Sequence, residues 1–512
     1  MSDATPIALR RSVAGYPSLS ARSCGWLRYL YRKATTPDSW EKDGQPHEHW
    51  DNRSEAPMLS WHRFDLIDSC YAVALMADQT PAWREVYGRI LDELATRYTA
   101  WWAASDWLTQ FGHDPDRENY PDYYRLLIPP ELWGRYDVPG WTANGIEPWG
   151  LQMDPIGADG NLFFKGWFLV VLGLHRRTTS DDKWSQPFEM VRDGEHTFTW
   201  SHSTIAEYLA AQWSRRPEGC HCENTKVWPL CLSAAGLGLR LHDLLFGTSH
   251  HDVFLTWWTN TARTEYLGFD GDRPADAPTF YFDPIENVHH RLPAFASSTY
   301  VAHYVAAQVP ADARALWDSA RAQMSLVDPP YAPTLDPRGA GLYLFLAKEW
   351  DLPDLADAVM RDAEERLEPT WDMETAEFTW GFGLSEPHPR GQWNAAMAAA
   401  EANSVGGWWR LANEYDARRF DEPTVVDVDF PTVVPTQAWW DRERQRLAIT
   451  LAPVNVAASG RPTSFRVTNV GEPASWTATS LNGVSVSSAA ADGILEITTT
   501  VDHFSLLVHP QP

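Results

Sequence analysis

The chain has 512 residues, of which 44% are hydrophobic and 21% charged, a balance typical of folded globular proteins. Its 68 acidic and 42 basic residues give a net charge of −26, which disfavours nucleic acid and anionic membrane surfaces as partners. The first residues contain no apolar stretch typical of a secretory signal, and no run of about 18 apolar residues follows, so we expect a cytoplasmic protein with reduced thiols.

Helical periodicity dominates the chain from about residue 60 to residue 415. In "HRFDLIDSCYAVALMAD", residues 62–78, apolar side chains recur every three or four positions, and residues 81–102 repeat the pattern after a proline that suits a first helical turn. Loops rich in Pro, Gly and Asp join the helices, and no repeat of fixed length is present, which favours a closed ring of helices over a solenoid. Further helices are predicted at 161–174, 203–213, 229–246, 252–265, 297–307, 311–324, 339–348, 353–366, 391–399 and 403–415.

From about residue 425 the pattern changes to short, alternating, β-branched stretches such as "RLAITLAPV" and "GILEITTTV", which turn residues separate. These stretches predict a small antiparallel β domain. The expected organisation is therefore an N-terminal helical extension at residues 1–54, a helical domain at residues 55–420 and a C-terminal β domain at residues 421–512.

Three of the five cysteines lie in "GCHCENTKVWPLC", residues 219–231. A structural zinc site needs four ligands at paired spacing, and this segment lacks a second compact pair. Because Pro229 suits the first turn of a helix, Cys231 falls near a helix N-terminus, where the helix dipole favours thiolate, while Cys222 comes from the preceding loop. Two such thiols suit proton transfer. A disulfide between Cys222 and Cys231, or two buried filler thiols, stay open as alternatives.

A second cluster of polar residues lies in "WHRFDLIDSCY". On a helix, Asp65, Asp68 and Tyr71 fall within an arc of about 120°. Two carboxylates and a phenol on one face can share a pocket and divide the roles of acid and base, because neighbouring charges split their pKa values. The alternative is a solvated acidic face or a set of caps and ion pairs, although the flanking apolar residues make full exposure costly.

The segment "GADGNLFFKGWFLVVLGLH", residues 157–175, is a strongly apolar helix that contains Phe163 and Trp167. It is either a core helix or the wall of a pocket for an apolar ligand. The 28 tryptophans of the chain can likewise fill a wide core, stack on sugars or surround a cation. Motifs for phosphate or dinucleotide binding, zinc hydrolysis or a serine nucleophile are not present in the sequence, so no metal and no cofactor is expected.

Taken together, these stretches resemble the linalool dehydratase/isomerase family over about residues 55–415. The resemblance rests on the cysteine pair in "CENTKVWPLC", on "HRFDLIDSCY", on the "NLFFKGW" helix and on "PRGQWNAAM" at 389–397. It implies a mainly α fold, an (α/α)6 barrel or helical toroid with a central pocket, to which this chain adds the small C-terminal antiparallel β domain. It also implies dehydration and isomerisation of a tertiary or allylic terpene-like alcohol without a cofactor.

The resemblance implies a role for each matching polar residue. Carried over by position, Cys222 and Cys231 are an acid/base pair, or one of them forms a transient thioether. Asp65 and Tyr71 bind and polarise the substrate hydroxyl. Hydroxide is a poor leaving group, so an acid must protonate it as the C–O bond breaks, and a dry, aromatic cavity must hold the resulting cation.

The residues expected to bind the substrate are Phe163, Trp167, Asp68 and Glu223. Trp167 stands where the family has a histidine that assists at the hydroxyl. A tryptophan can donate one hydrogen bond but cannot take a proton, so either the proton relay is shorter here or the reaction differs. Its ring face could instead stabilise an allylic cation.

We therefore expect a lyase/isomerase whose partner is a small apolar alcohol or alkene, with no nucleic acid and no membrane as partner and with a homo-oligomer left open. The rival enzyme class is a polysaccharide lyase or glycoside hydrolase on a helical toroid, which predicts a long open cleft with paired carboxylates. The rival outside enzymes is a binding protein whose β domain docks a partner through an exposed apolar patch.

Overall fold

The computed structural model describes residues 5–7, 9, 12–36, 61–99, 146–147, 150–151, 154, 156–157, 162–191, 197–222, 226–284, 286–382, 390–430, 432–472 and 475–511. In chain order its helices are α1 (Ala21–Thr35), α2 (Trp61–Ala77), α3 (Glu85–Tyr98), α4 (Leu162–Thr179), α5 (His202–Ser214), α6 (Pro229–Phe246), α7 (Asp252–Trp257), α8 (Ala294–Val305), α9 (Pro310–Gln323), α10 (Pro337–Glu349), α11 (Pro353–Arg366), α12 (Arg390–Ala402) and α13 (Gly407–Asn413).

The longer strands lie at the C-terminal end of the chain. In chain order the strands are β1 (Ile146–Glu147), β2 (Gly150–Leu151), β3 (Phe188–Val191), β4 (Thr197–Trp200), β5 (Thr279–Asp283), β6 (Val288–Arg291), β7 (Pro369–Trp371), β8 (Phe378–Trp380), β9 (Thr424–Val426), β10 (Val433–Asp441), β11 (Arg446–Pro453), β12 (Pro462–Thr468), β13 (Trp476–Ser480), β14 (Ser487–Ala491), β15 (Ile494–Thr500) and β16 (Phe504–Pro510).

Several helix ends follow from local sequence. The helix α6 has Pro229 in its first turn, where no intrahelical N–H bond is needed, and it stops at Gly247, which adopts a φ of 70°. The helix α5 begins with a capping box formed by Ser201 and Thr204. The helix α10 begins after Asp336, whose carboxylate accepts a hydrogen bond from a first-turn N–H at 2.7 Å.

Six of these helices contact one another in a closed order. The helix α2 contacts α4, α4 contacts α6, α6 contacts α8, α8 contacts α10, α10 contacts α12, and α12 contacts α2 again. The helices that follow five of them in sequence, α3, α5, α7, α9 and α11, each pack on the preceding member of this ring. A small residue permits the close approach of α4 and α6, because a Cβ added to Gly166 would lie 2.7 Å from the Cβ of Ala235.

The C-terminal strands form two four-stranded antiparallel sheets, in the orders β10-β11-β16-β13 and β14-β15-β12-β9. Backbone hydrogen bonds tie this region to the rest of the chain. The Val425 N–H donates to the Ala82 carbonyl at 2.7 Å, the Ala82 N–H donates to Ala438 at 3.1 Å, and the Leu19 N–H donates to Thr436 at 2.8 Å. The β region therefore docks directly on the segment before α3 and on the segment before α1.

The prediction of a mainly helical chain with antiparallel sheets is confirmed at that level. The helix expected at 229–246 is Pro229–Phe246 in the structure. The single α-helix expected at 252–265 is wrong, because the chain is α-helical only over Asp252–Trp257 and continues as a π-helix over Trp258–Tyr266. The apolar spacing of such a short segment does not separate these two helical types. The domain boundaries near residues 54 and 420 stay predictions.

Candidate functional site

A cavity of about 30 Å³ lies among the six ring helices, and every one of them contributes to its wall. Its lining is mostly aromatic and apolar, with a few polar groups among the rings. The described residues around it are Asp68, Tyr71, Trp167, Leu230, Tyr300, His303, Tyr304, Arg338, Gly341, Leu342, Phe345, Ala396 and Ala399. A space of this size holds about one or two water molecules.

Asp68 is the only carboxylate among the described residues of the wall. Burial raises the pKa of this carboxyl to about 7, and the nearby Arg338 guanidinium opposes the rise. The Gln392 side-chain amide donates a hydrogen bond to Asp68 Oδ2 at 3.2 Å, so the "PRGQWNAAM" segment supports this residue. A carboxyl with a pKa near neutrality can hold a proton and give it to a substrate at ordinary pH.

Two tyrosines and a tryptophan form a hydrogen-bonded group beside Asp68. The Trp167 indole N–H donates to the Tyr304 hydroxyl oxygen at 3.0 Å, and the Tyr71 hydroxyl donates to the same oxygen at 3.3 Å. Because the Tyr304 oxygen accepts both bonds, its own hydrogen is directed elsewhere, and donation to that oxygen strengthens it as a donor. Burial raises the pKa of both phenols, so each stays protonated.

His303 is a further polar group in the wall. It lies one residue before Tyr304 on α8, stacks on Trp408 with ring centroids 5.1 Å apart and meets Phe345 at 4.5 Å. Burial lowers the pKa of its imidazole to about 3, so the ring is neutral above that pH. The sequence pattern predicted α8 as a helix but did not single out His303, Tyr304 or Arg338. These three residues and Asp68 meet in one cavity wall only when the ring of helices closes.

The structure separates Asp65 from the cavity. The Asp65 carboxylate contacts Lys33 Nζ of α1 at 2.5 Å, and both side chains are 1% exposed. Asp65 is therefore part of a buried ion pair between α1 and α2, which is the structural alternative that the sequence left open. The prediction that it binds the substrate hydroxyl together with Tyr71 does not fit this placement, because Asp68 and Tyr71, and not Asp65, face the cavity.

The two predicted catalytic thiols lie at the N-termini of neighbouring helices. Cys222 is buried, forms no disulfide, and accepts a hydrogen bond on Sγ from the Phe163 N–H at the start of α4, at 3.2 Å. Cys231 is buried in the first turn of α6. Neither Cys222 nor Cys231 is among the described residues that line the cavity. Leu230, which precedes Cys231 in sequence, does line it.

The predicted substrate-binding residues have different placements. Trp167 lines the cavity, and Phe163 stacks on Trp167 with ring centroids 4.0 Å apart, one helical turn nearer to the N-terminus of α4. Asp68 lines the cavity as described above. Glu223 lies outside the described residues.

The described ranges contain no group of three or more His, Cys, Asp or Glu side chains placed to hold a metal ion. Within the same ranges, no helix combines the length and the hydrophobicity that crossing a bilayer requires.

Comparison with known proteins identifies one family. The family model "Linalool dehydratase/isomerase" matches residues 133–379, which confirms the resemblance predicted from the sequence. The matched region contains both thiols, Trp167, His303 and Arg338, and it ends before the Gln392 segment and begins after α2. Since the family is one of lyases and isomerases, the match supports the prediction that the chain is an enzyme.

The chain has no match among curated proteins. Among solved structures it is similar to the endoglucanase CelQ from Clostridium thermocellum complexed with cellotriose. The identity is 11%, the alignment covers 96% of this chain and 93% of that chain, and the TM-score is 0.35. A likeness at this level carries no argument about substrate or fold.

Proposed function

Taking as the premise that this chain is a member of the linalool dehydratase/isomerase family, we propose that it dehydrates and isomerises a tertiary or allylic isoprenoid alcohol in the cavity of the helical ring. The observation that carries the proposal is the position of the Asp68 carboxyl beside the Tyr71, Tyr304 and Trp167 group in an otherwise aromatic and apolar wall. Such a wall suits an apolar substrate that has one hydroxyl group.

The first step is loss of the hydroxyl as water. Tyr304 donates a hydrogen bond to the substrate oxygen, and Asp68 gives it a proton as the C–O bond breaks, so that water leaves with the bonding electron pair. The pKa of Asp68, about 7, allows this residue to be protonated before the step and ionised after it. The carboxylate that remains stabilises the allylic cation electrostatically.

The allylic cation can then react in two ways. Return of the water to the far end of the allyl system gives the isomeric alcohol, and loss of a neighbouring C–H proton gives a diene. The faces of Trp167, Tyr300 and Phe345 around the cavity stabilise positive charge during both. They also keep out the bulk water that would capture the cation without control.

The size of the cavity limits the substrate. A space of about 30 Å³ is far below the roughly 300–1,000 Å³ of common ligand pockets. Binding of any isoprenoid alcohol therefore requires wall side chains to move. Leu230 and Leu342 are only partly buried, so their movement loses less packing than that of a fully buried side chain. We propose that a five-carbon tertiary allylic alcohol is a better substrate than a ten-carbon one.

The closed contact order of the six ring helices supports a further part of the proposal, that the fold is an (α/α)6 barrel. In this arrangement α2, α4, α6, α8, α10 and α12 are the inner helices and surround the active site. The contribution of all six to one cavity agrees with such a barrel.

The test is conversion of alcohols by the purified protein. Linalool and a five-carbon tertiary allylic alcohol are incubated with it, and products are separated by gas chromatography. We expect a diene and a primary allylic alcohol from at least one substrate. If no alcohol is converted while oligosaccharides raise the melting temperature, the glycoside hydrolase alternative would replace this proposal.

The thiol pair is tested separately in the same assay. Cys222 and Cys231 stay proposed participants in proton transfer, because one sulfur accepts a bond from the start of α4 and the other borders the cavity-lining Leu230. We expect Cys222→Ala and Cys231→Ala to lower turnover. Cys24→Ala removes an equally buried thiol from α1 and serves as the matched control. Full turnover in both site variants would remove the thiols from the mechanism.

A further inference from the structure

We propose that His303 is the base that takes the C–H proton from the allylic cation, and that it thereby decides whether the enzyme releases a diene or an isomerised alcohol. This inference rests on the proposed function and adds a catalytic residue to it.

The His303 side chain is 5% exposed, and within the described part of the chain its Nδ1 has no hydrogen-bond partner. A buried polar nitrogen without a partner is unfavourable, because it has lost the hydrogen bonds that water would make to it. Trp408 and Phe345 pack on the imidazole through their rings, which explains its position but gives its Nδ1 no hydrogen-bond partner. A neutral imidazole offers one N–H and one lone pair, and the cavity is the place where a ligand can meet them.

His303 lies close to the phenols that are proposed to bind the hydroxyl, and therefore close to the carbon next to it that must lose a proton. Its ring centroid lies 4.8 Å from that of Tyr304 and 5.8 Å from that of Tyr71, the two phenols of the hydroxyl-binding group. A C–H bond next to the carbon that carries the hydroxyl is about one bond length away from that carbon. A substrate whose oxygen is held at Tyr304 therefore has this C–H bond within the same cavity wall as the imidazole, which places the base within reach of the proton.

Burial makes the imidazole a weak base, with a pKa of about 3, and this suits the reaction. A proton next to a carbocation is very acidic, so a weak base removes it readily. A stronger base would be protonated at neutral pH and would have no free lone pair. A neutral ring also avoids the charge repulsion that an imidazolium would exert on the cation.

The step balances with groups that the site contains. Asp68 gives one proton to the hydroxyl, and water leaves. The C–H electron pair becomes the second double bond of the diene, and its proton moves to the His303 lone pair. The imidazolium then returns a proton to the Asp68 carboxylate through the released water, which restores both residues. Isomerisation does not use this base, because the water that adds to the far carbon gives its proton back to Asp68.

The difference between the two routes defines the experiment. His303→Phe keeps an aromatic ring between Trp408 and Phe345 but removes both nitrogens. With a tertiary allylic alcohol as substrate, we expect diene formation to fall by about 10²–10⁴-fold, the usual contribution of a positioned base, while formation of the primary alcohol continues. Retained isomerisation shows that the variant is folded and that it binds and ionises the substrate. Added imidazole should restore part of the diene in His303→Ala.

A matched control uses another buried histidine. His202 is 1% exposed, burial lowers its pKa well below the ordinary value, and it contacts His242 outside the cavity. His202→Phe should keep the wild-type ratio of diene to alcohol. An unchanged ratio in His303→Phe would overturn the assignment and would point to the Asp68 carboxylate as the base. Loss of both products in a folded His303→Phe would also overturn it, whereas failure of the wild type to convert any alcohol would overturn the proposed function itself.

Discussion

The ionisation of Asp68 makes a prediction about the pH dependence of turnover. The pKa of this carboxyl is about 7, and the proposed acid must be protonated to act. The protonated fraction is about half at the pKa and falls about tenfold for each pH unit above it, to about 1% two units higher. We therefore expect kcat to be flat on the acid side of the pKa and to fall with a slope of one in log kcat on the alkaline side.

Two variants test whether this limb belongs to Asp68. Asp68→Asn keeps the shape of the side chain but removes the proton donor, so kcat should fall by about 10²–10⁴-fold and the alkaline limb should disappear. Gln392→Met removes a hydrogen bond that lowers the pKa of Asp68, so the limb should move to higher pH while the plateau remains. An alkaline limb that stays in place in both variants would refute the reasoning, because another group would then control the rate.

The same pKa has a consequence for stability. The carboxyl binds its proton more tightly in the folded protein than the ordinary pKa of about 4 in an unfolded chain. Its contribution to folding is therefore fully present below about pH 4 and is lost as the pH rises through about 7. In urea titrations, the wild type should lose stability relative to Asp68→Asn over this range. A difference that stays constant with pH would show that the folded-state pKa is not raised.

Two further predictions concern stability. Lys33→Met should lower the free energy of unfolding by about 3–5 kcal/mol in urea titrations, because it removes the ion-pair partner of the buried Asp65 carboxylate. The double variant, Lys33→Met with Asp65→Leu, should recover part of this loss because it also removes the buried charge. A loss below about 1 kcal/mol would mean that water reaches Asp65. Gly166→Ala should cost about 1–3 kcal/mol through the contact with α6, whereas Gly339→Ala on α10, whose added Cβ meets nothing closer than 3.4 Å, should be neutral or stabilising by up to about 1 kcal/mol. Equal effects would contradict the close helix approach.

Local signals predicted the helices well, because the features that determine them lie within a few residues of each other. Pro229 and the glycine after Phe246 mark both ends of α6 in the sequence itself. The order of contacts between helices depends instead on surfaces that are distant in the chain. Periodicity tells which face of a helix is apolar, but it does not tell which partner covers that face.

At the candidate site, too, the sequence pattern predicts which residues share a helix face but not which distant residues meet them. The spacing of Asp68 and Tyr71 was enough to predict that they share a helix face, and both line the cavity. The spacing gave no means of separating Asp68 from Asp65, whose partner Lys33 lies on another helix. His303 carried no local signal, because a single histidine in an apolar helix is usually a core residue, and its distinction here comes from a wall that residues of five other helices complete.

The tryptophan at the family's histidine position has a consistent explanation in this site. The Trp167 N–H donates to the Tyr304 oxygen, where an imidazole could either donate or accept. A permanent donor there means that the Tyr304 hydrogen must point away from Trp167, and the cavity offers the substrate oxygen as its acceptor. We therefore propose that Trp167 orients the group that binds the hydroxyl, although a tryptophan cannot take a proton. In the proposed mechanism Asp68 on α2 gives a proton and His303 on α8 takes one, beside the thiols of Cys222 and Cys231, so the roles that one histidine could combine are divided among several residues.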